Sequence, residues 1–220
     1  MPTTLRSLLA LLLVPLLMVS CKKDDPAPPP ATGGGPEGPA QFTPSLSGHQ
    51  GVGLTMDGTY VSYVHSGGSS GEVIPVYDVQ TMQGATSYKS FMSGLFQGSI
   101  GENVFELHLG TLGYTEVFLD PKQFINYFQP GPVAYGTVTA PNLSQVMILH
   151  NDAQGQVWST LLGSADQTNS TFTITEVDSG FDDLGAWTRV IATFDCKLYN
   201  NSGASKSVTG GGLMLEFRDL

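Results

Sequence analysis

The stretch TRVIATFDCKLYN, residues 188–200, decides the fold. Its side chains alternate. Val190, Ala192, Phe194, Cys196 and Leu198 fall on one face of an extended chain, and Ile191, Thr193, Asp195, Lys197 and Tyr199 on the other. A period of two marks a β-strand with one face in a core, because successive Cβ atoms point to opposite sides. The turn-forming NNSGAS (200–205) follows, and SVTGGGLMLEF (207–217) returns with Leu213, Leu215 and Phe217 on one face. Together they predict a C-terminal hairpin. Cys196 lies in the apolar row, which makes it a small buried hydrophobe rather than a reactive thiol.

The same signal extends toward the N-terminus. SQVMILHNDAQGQVWSTLLG (144–163) predicts a hairpin turning at 151–155, and STFTITEV (170–177) sets Phe172 and Ile174 against threonines. VFELHLG (104–110) places Phe105, Leu107 and Leu109 opposite Glu106 and His108. TYVSYVH (59–65) and EVIPVYDV (72–79) read as strands, Pro75 limiting the second to an edge or a bulge. Only DPKQFINYF (120–128) reads as a helix. Asp120 suits the N-cap, Pro121 suits the first helical position, and Phe124 and Phe128 share a face at i, i+4. Short strands, frequent glycine turns and one helix predict an all-β domain. A sandwich of two antiparallel sheets is the expected form, immunoglobulin-like topology included, with a β-barrel as the alternative.

Residues 1–41 have a different character. MPTTLR (1–6) carries one positive charge, SLLALLLVPLLMV (7–19) is apolar but interrupted by Pro15, and Ser20 is small. The run is shorter than the roughly 20 apolar residues a membrane-spanning helix needs. A basic start, a short apolar run and a small residue describe a secretory signal segment over residues 1–20. Met18-Val19-Ser20-Cys21 resembles the lipobox of bacterial lipoproteins, in which cleavage before the cysteine leaves it to be acylated. The resemblance makes Cys21 the lipidation site and an outer-membrane lipid its partner. Two or more acyl chains give stable anchoring where one does not. Lys22-Lys23-Asp24-Asp25 resembles the surface-export signal of Bacteroidetes lipoproteins, which implies an outward-facing domain. PAPPPATGGGPEGPA (26–40) has few side chains to bury and cannot offset its ordering entropy. Residues 21–41 therefore read as a tether, with a reach on the order of 50 Å, and residues 42–220 as one domain.

LTMDGTYVSY (54–63), VMILHNDAQGQVWST (146–160) with FTITEV (172–177), and ATFDCKLYNNSGASKSVTGGGLMLEF (192–217) resemble a group of Bacteroidetes lipoproteins of unknown function. That likeness implies a β-rich surface domain and carries over no activity.

The domain holds six of the nine Lys and Arg residues and sixteen of the nineteen Asp and Glu residues. Such acidity argues against nucleic acid, whose binding rests on cations neutralising phosphates, and against docking on anionic lipid. With Cys21 acylated, Cys196 has no disulfide partner within the chain. Gly67-Gly68-Ser69-Ser70-Gly71 matches the G-x-S-x-G nucleophile elbow in letters, but the strand-like EVIPVYDV follows it where that elbow needs a helix. His49, His65, His108 and His150 are scattered, and no HExxH, CxxC or phosphate-binding loop occurs. DSGFDDLG (178–185) reads as an acidic loop in which Asp178, Asp182 and Asp183 are candidate Ca²⁺ ligands. By strand parity Trp187, Ile191 and Tyr199 lie opposite the core row. Trp187 and Tyr199 are thus candidate stacking residues for a glycan or a protein. Three functions stay open on this reading: a non-catalytic binding module for glycan or protein, a structural subunit of an envelope complex, or a hydrolase whose carboxylates converge only in the fold.

Two substitutions separate anchor from address. Cys21→Ala removes the acylation site, so the protein should leave the membrane fraction or stall uncleaved. Lys23→Ala/Asp24→Ala/Asp25→Ala should keep membrane partition but stop protease added to intact cells from reaching the domain. Continued shaving of the triple variant would refute the export motif, and full membrane retention of processed Cys21→Ala would refute the anchor.

Overall fold

A computed structural model describes residues 41–65, 73–74, 79–83, 86–96, 103–136 and 145–219. These lie within the unit Pro39–Leu220. The signal segment, Cys21, Lys22 to Asp25, the tether and the Gly67–Gly71 stretch lie outside the described residues.

Strand β1 (Gly51–Met56) turns into β2 (Thr59–Val64) through Asp57 and Gly58, both left-handed at φ 47° and 81°. That is the twist a two-residue hairpin needs. β3 (Val73–Ile74) and β4 (Val79–Gln83) both pair with β5 (Thr86–Phe96), which pairs with β6 (Val104–Tyr114). Helix α1 (Pro121–Tyr127) follows, then the short β7 (Gly131–Pro132) and β8 (Ala134–Tyr135). β9 (Gln145–Asn151) and β10 (Val157–Ser159) form the expected hairpin. Asp152 caps its turn by accepting from the Gln154 and Gln156 amides. β11 (Thr171–Asp182), β12 (Gly185–Tyr199) and β13 (Ser205–Asp219) complete the chain.

β12 and β13 are paired from Ala186–Asp219 to Tyr199–Ser205. The turn between them is held by Asn200, whose Oδ1 accepts from the Ser202 and Ala204 amides. The pairing slips once, between Phe194 and Cys196. There Gly210 adopts φ 61° and donates its N–H to Asp195 Oδ1 at 2.7 Å. The bulge seats the Phe194 ring on Gly211, where a Cβ would stand 2.6 Å from ring carbons. A side chain at residue 211 would displace a fully buried ring.

The strand path runs β2-β1-β13-β12-β10-β9-β6-β5-β3 and does not close, so the architecture is the sandwich and the barrel alternative is not realised. One layer is β11-β12-β13-β1-β2 and the other β10-β9-β6-β5 with β3 and β4. They join at the Ser159–Tyr199 pair. All pairs are antiparallel except β8 with β9.

The two inner faces meet in one core. Val190, Ala192, Phe194, Cys196 and Leu198 are buried, as the alternation predicts, and so are Leu213, Leu215 and Phe217. Phe194 lies 6.1 Å, centroid to centroid, from both Phe105 and Phe172. Asp120 caps α1 by accepting from the Lys122 amide at 2.9 Å. The helix wedges Phe124 and Phe128 between the layers, against Phe91, and Phe128 stacks on Phe217 at 5.1 Å. It closes one end of the core, as its sequence predicts.

Two expectations are corrected. DSGFDDLG is not a loop, because β11 runs through Asp182 and pairs with β12 up to a two-residue turn at Asp183 and Leu184. Gly185, at φ 116°, makes that turn where a Cβ would meet the Asp219 carbonyl at 2.7 Å. The outward face of β12 is only partly open: Ile191 and Tyr199 are each 7% exposed and Trp187 is half-buried, while Thr193 and Asp195 stand exposed. The chain before β1 forms a strap over this face. Phe42 fills the hollow above Gly51 and Gly53, Pro44 lies on Gly212, and Leu46 O accepts from Arg189. Residues 160–170 cover the far end. There the Gln167 side chain accepts from the Lys197 N–H and donates to its carbonyl, as a neighbouring strand would.

Phe194→Ala should destabilise the domain by roughly 3–5 kcal/mol, since it opens a cavity between two stacked layers. Urea unfolding checks this, and a midpoint equal to wild type would show that Phe194 does not anchor the core.

Candidate functional site

Of the residues singled out in the domain, the fold engages Tyr199, Trp187 and Asp182 and leaves Asp178 and Asp183 exposed. The Tyr199 hydroxyl donates to Asp166 O at 2.9 Å, and Gly163 packs on its ring. Trp187 is half-buried. Its ring lies against Gly180 on β11, while the Arg189 guanidinium sits 4.9 Å above it. Neither ring forms a free stacking platform, and the two lie near opposite ends of β12. Asp178 stands in the ladder opposite Arg189. Asp182 is bound by Arg218 through both carboxylate oxygens at 2.9 Å, which holds its carboxyl below the ordinary range. Asp183 sits in the turn. Among the described residues no group of three or more His, Cys, Asp and Glu is placed to hold a metal ion.

Other polar groups tie strands together, within a layer and between the two. Lys89, buried on β5, pairs with Asp219 on β13. Arg189 and Arg218 both reach Glu216. Burial would raise the Asp152 carboxyl, but the Trp158 N–H at 2.9 Å, its turn amides and Lys206 hold it below the ordinary range. The Lys206 ammonium also lies 4.2 Å above the Trp158 ring. Burial pushes the Cys196 thiol up to about 12, so it stays protonated and inert at neutral pH. These groups are engaged in structure, and none adjoins a cleft as an acid–base pair.

A cleft of about 710 Å³ opens where α1 meets the two layers. It arises from how the helix ends. Phe128 leaves the helical region, and Gln129 precedes Pro130, a position that disfavours helix. Gly131 then turns at φ 139° with open space around it, and β7 docks on the β11 edge at Thr173 and Ile174. The reversal leaves a trough between the helix and β7. Leu109 and Leu112 of β6 and Ile174 of β11 form its floor, and the Tyr127 ring lies along it, 4.9 Å from Phe91. Gln123, Asn126 and Gln129 stand exposed on its rim. The Gln129 amide donates to Asn126 O at 3.1 Å, which fixes the helix end. Among the described residues no carboxylate, imidazole, amine, guanidinium, hydroxyl of Ser or Thr, or thiol lines the cleft. Such a surface can bind through amide donors and acceptors and through rings, but it supplies no general base or nucleophile.

The sequence held one sign of this site, the three amides at three-residue spacing in QFINYFQ (123–129). Its remaining parts come from β6, β7 and β11 and meet only through the topology.

At the opposite end, His150 is buried between Tyr63 and Val104 O, with Nδ1 3.2 Å from each. The Tyr63 hydroxyl donates on to Asn103 at 3.0 Å. Burial lowers the His150 pKa from 6.5, although its bond to Val104 O opposes this. Unfolding restores the ordinary value. The unfolded chain therefore takes up a proton that the fold refuses as pH falls through about 6.5, so this contribution to stability is full above that pH and lost below it. The melting temperature should fall between about pH 7.5 and pH 5.5, and His150→Gln should flatten the fall. A wild-type melt unchanged over this range would overturn the assignment.

No family model, no curated protein and no solved structure matches the chain.

Proposed function

We propose that this protein is a surface-presented lipoprotein whose domain is a non-catalytic binding module for a neutral glycan, held in the cleft beside α1. One observation carries the reading: among the described residues the cleft is lined by amides, aromatic rings and aliphatic side chains and by no charged group. A neutral sugar offers hydroxyls that both donate and accept, which matches side-chain amides. Its apolar C–H faces suit an aromatic ring such as Tyr127. The volume lies within the 300–1,000 Å³ range of small-molecule sites. A charged sugar would lose its water without gaining a counter-charge.

The address supports the same reading. An acylated Cys21, a Pro- and Gly-rich tether and an export signal of Bacteroidetes type would hold such a domain outside the cell, where glycans are met. The carboxylates engaged with Arg218, Lys206 and Lys89 do not favour a hydrolase.

A glycan array probed with the purified full-length protein tests the proposal. Neutral glycans should be retained in preference to uronic-acid and sulfated ones. Gln123→Ala/Asn126→Ala should weaken that binding by roughly tenfold or more, since each lost hydrogen bond is worth about 0.5–1.5 kcal/mol. Thermal stability should stay near wild type, because both side chains are exposed. An array without neutral-glycan binding, or binding indifferent to the double variant, would overturn the reading.

A further inference from the structure

The large apolar side chains left exposed among the described residues sit on two loop tips at one end of the fold. Val117 is 83% and Phe118 82% exposed between β6 and α1, and Phe181 is 62% and Leu184 66% exposed at the tip of the β11–β12 ribbon. A run of contacts places both tips at the same end of the two layers. Ala186, two residues past Leu184, pairs with Asp219; Asp219 binds Lys89; Lys89 stands opposite Leu112; and Ser87 stands opposite Tyr114, three residues before Val117. Both tips therefore lie at the end of the fold where β12 and β13 meet β5 and β6.

The exposure has a cause in the register. Val177, Ser179 and Phe181 stand opposite Val190, Thr188 and Ala186, all of them buried. Phe181 thus points to the core side of its strand, on a ribbon tip that overhangs the core. Single exposed apolar residues need no explanation, but four on two tips at one end of the fold do.

The margin of this patch is acidic. Glu116 precedes Val117, Asp120 follows Phe118, and Asp182 and Asp183 lie between Phe181 and Leu184, all four exposed. Arg218 neutralises Asp182. No ion pair among the described residues engages Glu116 or Asp183, and the nearest cation in sequence to the first tip is Lys122, in the first turn of α1.

We infer that this end is a docking surface for a partner protein whose own apolar patch is bordered by Lys and Arg. Charge complementarity selects that occupant. A second copy of the chain would bring the same carboxylates to the same margin and be repelled, and so would an anionic bilayer. The surface is separate from the cleft, whose rim is formed by Gln123, Asn126 and Gln129.

The test uses purified full-length protein and an immobilised amphipathic peptide of alternating Leu and Lys, with a Leu–Glu peptide as control. The Leu–Lys peptide should bind at least tenfold more tightly than its control. Phe118→Ser/Phe181→Ser/Leu184→Ser keeps every charge and should abolish this preference. Glu116→Gln/Asp183→Asn should weaken binding at least threefold, and Gln123→Ala/Asn126→Ala should leave it unchanged. Equal binding of the two peptides, or a triple-serine variant that still prefers Lys, would overturn the inference. So would binding to phosphatidylcholine vesicles, or a concentration-dependent dimer, that the triple-serine change removes. Unchanged circular dichroism and melting of the triple-serine variant confirm that it is folded.

Discussion

The fold depends on one seat: the Phe194 ring resting on Gly211 across the β12–β13 bulge. β12 is the hub strand, since β11 and β13 pair along its sides and β10 joins at its end. Two 15-residue strands paired without interruption would carry one twist throughout, and the slip at Phe194 changes it midway. The bulge lets β12 bend far enough for Tyr199 to meet β10 while Ala186 still meets the end of β13. Phe194 then touches Phe172 within its own layer and Phe105 across the core. The Asp195 carboxylate keeps the bulge in place by receiving the Gly210 N–H, so a single acidic side chain on the outer face helps hold the Phe194 ring among Phe105 and Phe172 on the inner one.

Around that seat, charge serves attachment. Lys89 with Asp219, Arg218 with Asp182 and Glu216, and Lys206 with Asp152 each tie a strand end or turn to a neighbour. A domain with six cations in its whole length commits most of them this way, and the excess carboxylates are left on outward strand positions, turns and tips. This division leaves the α1 cleft free of charge while the ribbon tip is ringed by it. A neutral polar ligand and a basic protein surface would therefore meet different ends of the chemistry this chain offers, without competing for the same side chains.

What could be read in the sequence was what depends on near neighbours. The row from Val190 to Leu198 shows itself through alternation, because each residue's side is set by the one before it. The helix shows itself through Asp120 and Pro121, whose work is done within one turn. Burial on the second face of β12 does not show, because the cover over Ile191 and Tyr199 comes from residues 41–50 and 160–170, far away in the chain. DSGFDDLG looks like a loop by composition. It is a strand because Asp178 meets Arg189 and Gly180 makes room for Trp187, both of which are facts about its partner. The cleft was hidden for the same reason: three of its amides are local, while its floor and far wall are assembled from separate strands.

The strap before β1 also settles how the domain would bear a pull from its N-terminal side. Tension from residues before Gln41 arrives first at Phe42, seated above Gly51 and Gly53, and at Pro44 on Gly212. The strap runs back over the sheet before Gln50 accepts from the Glu216 amide and the chain enters β1. Its contacts would lift in order, acting as a fuse that yields before the ladder is loaded. Only then would force reach β1, which is hydrogen-bonded to β13 on one side and β2 on the other. A strand flanked on both sides and pulled along its length loads its cross-strand bonds together in shear, whereas an edge strand peels them one by one. Entry through the strap and a doubly flanked strand thus sets two ladders, to β13 and to β2, behind the first point of load.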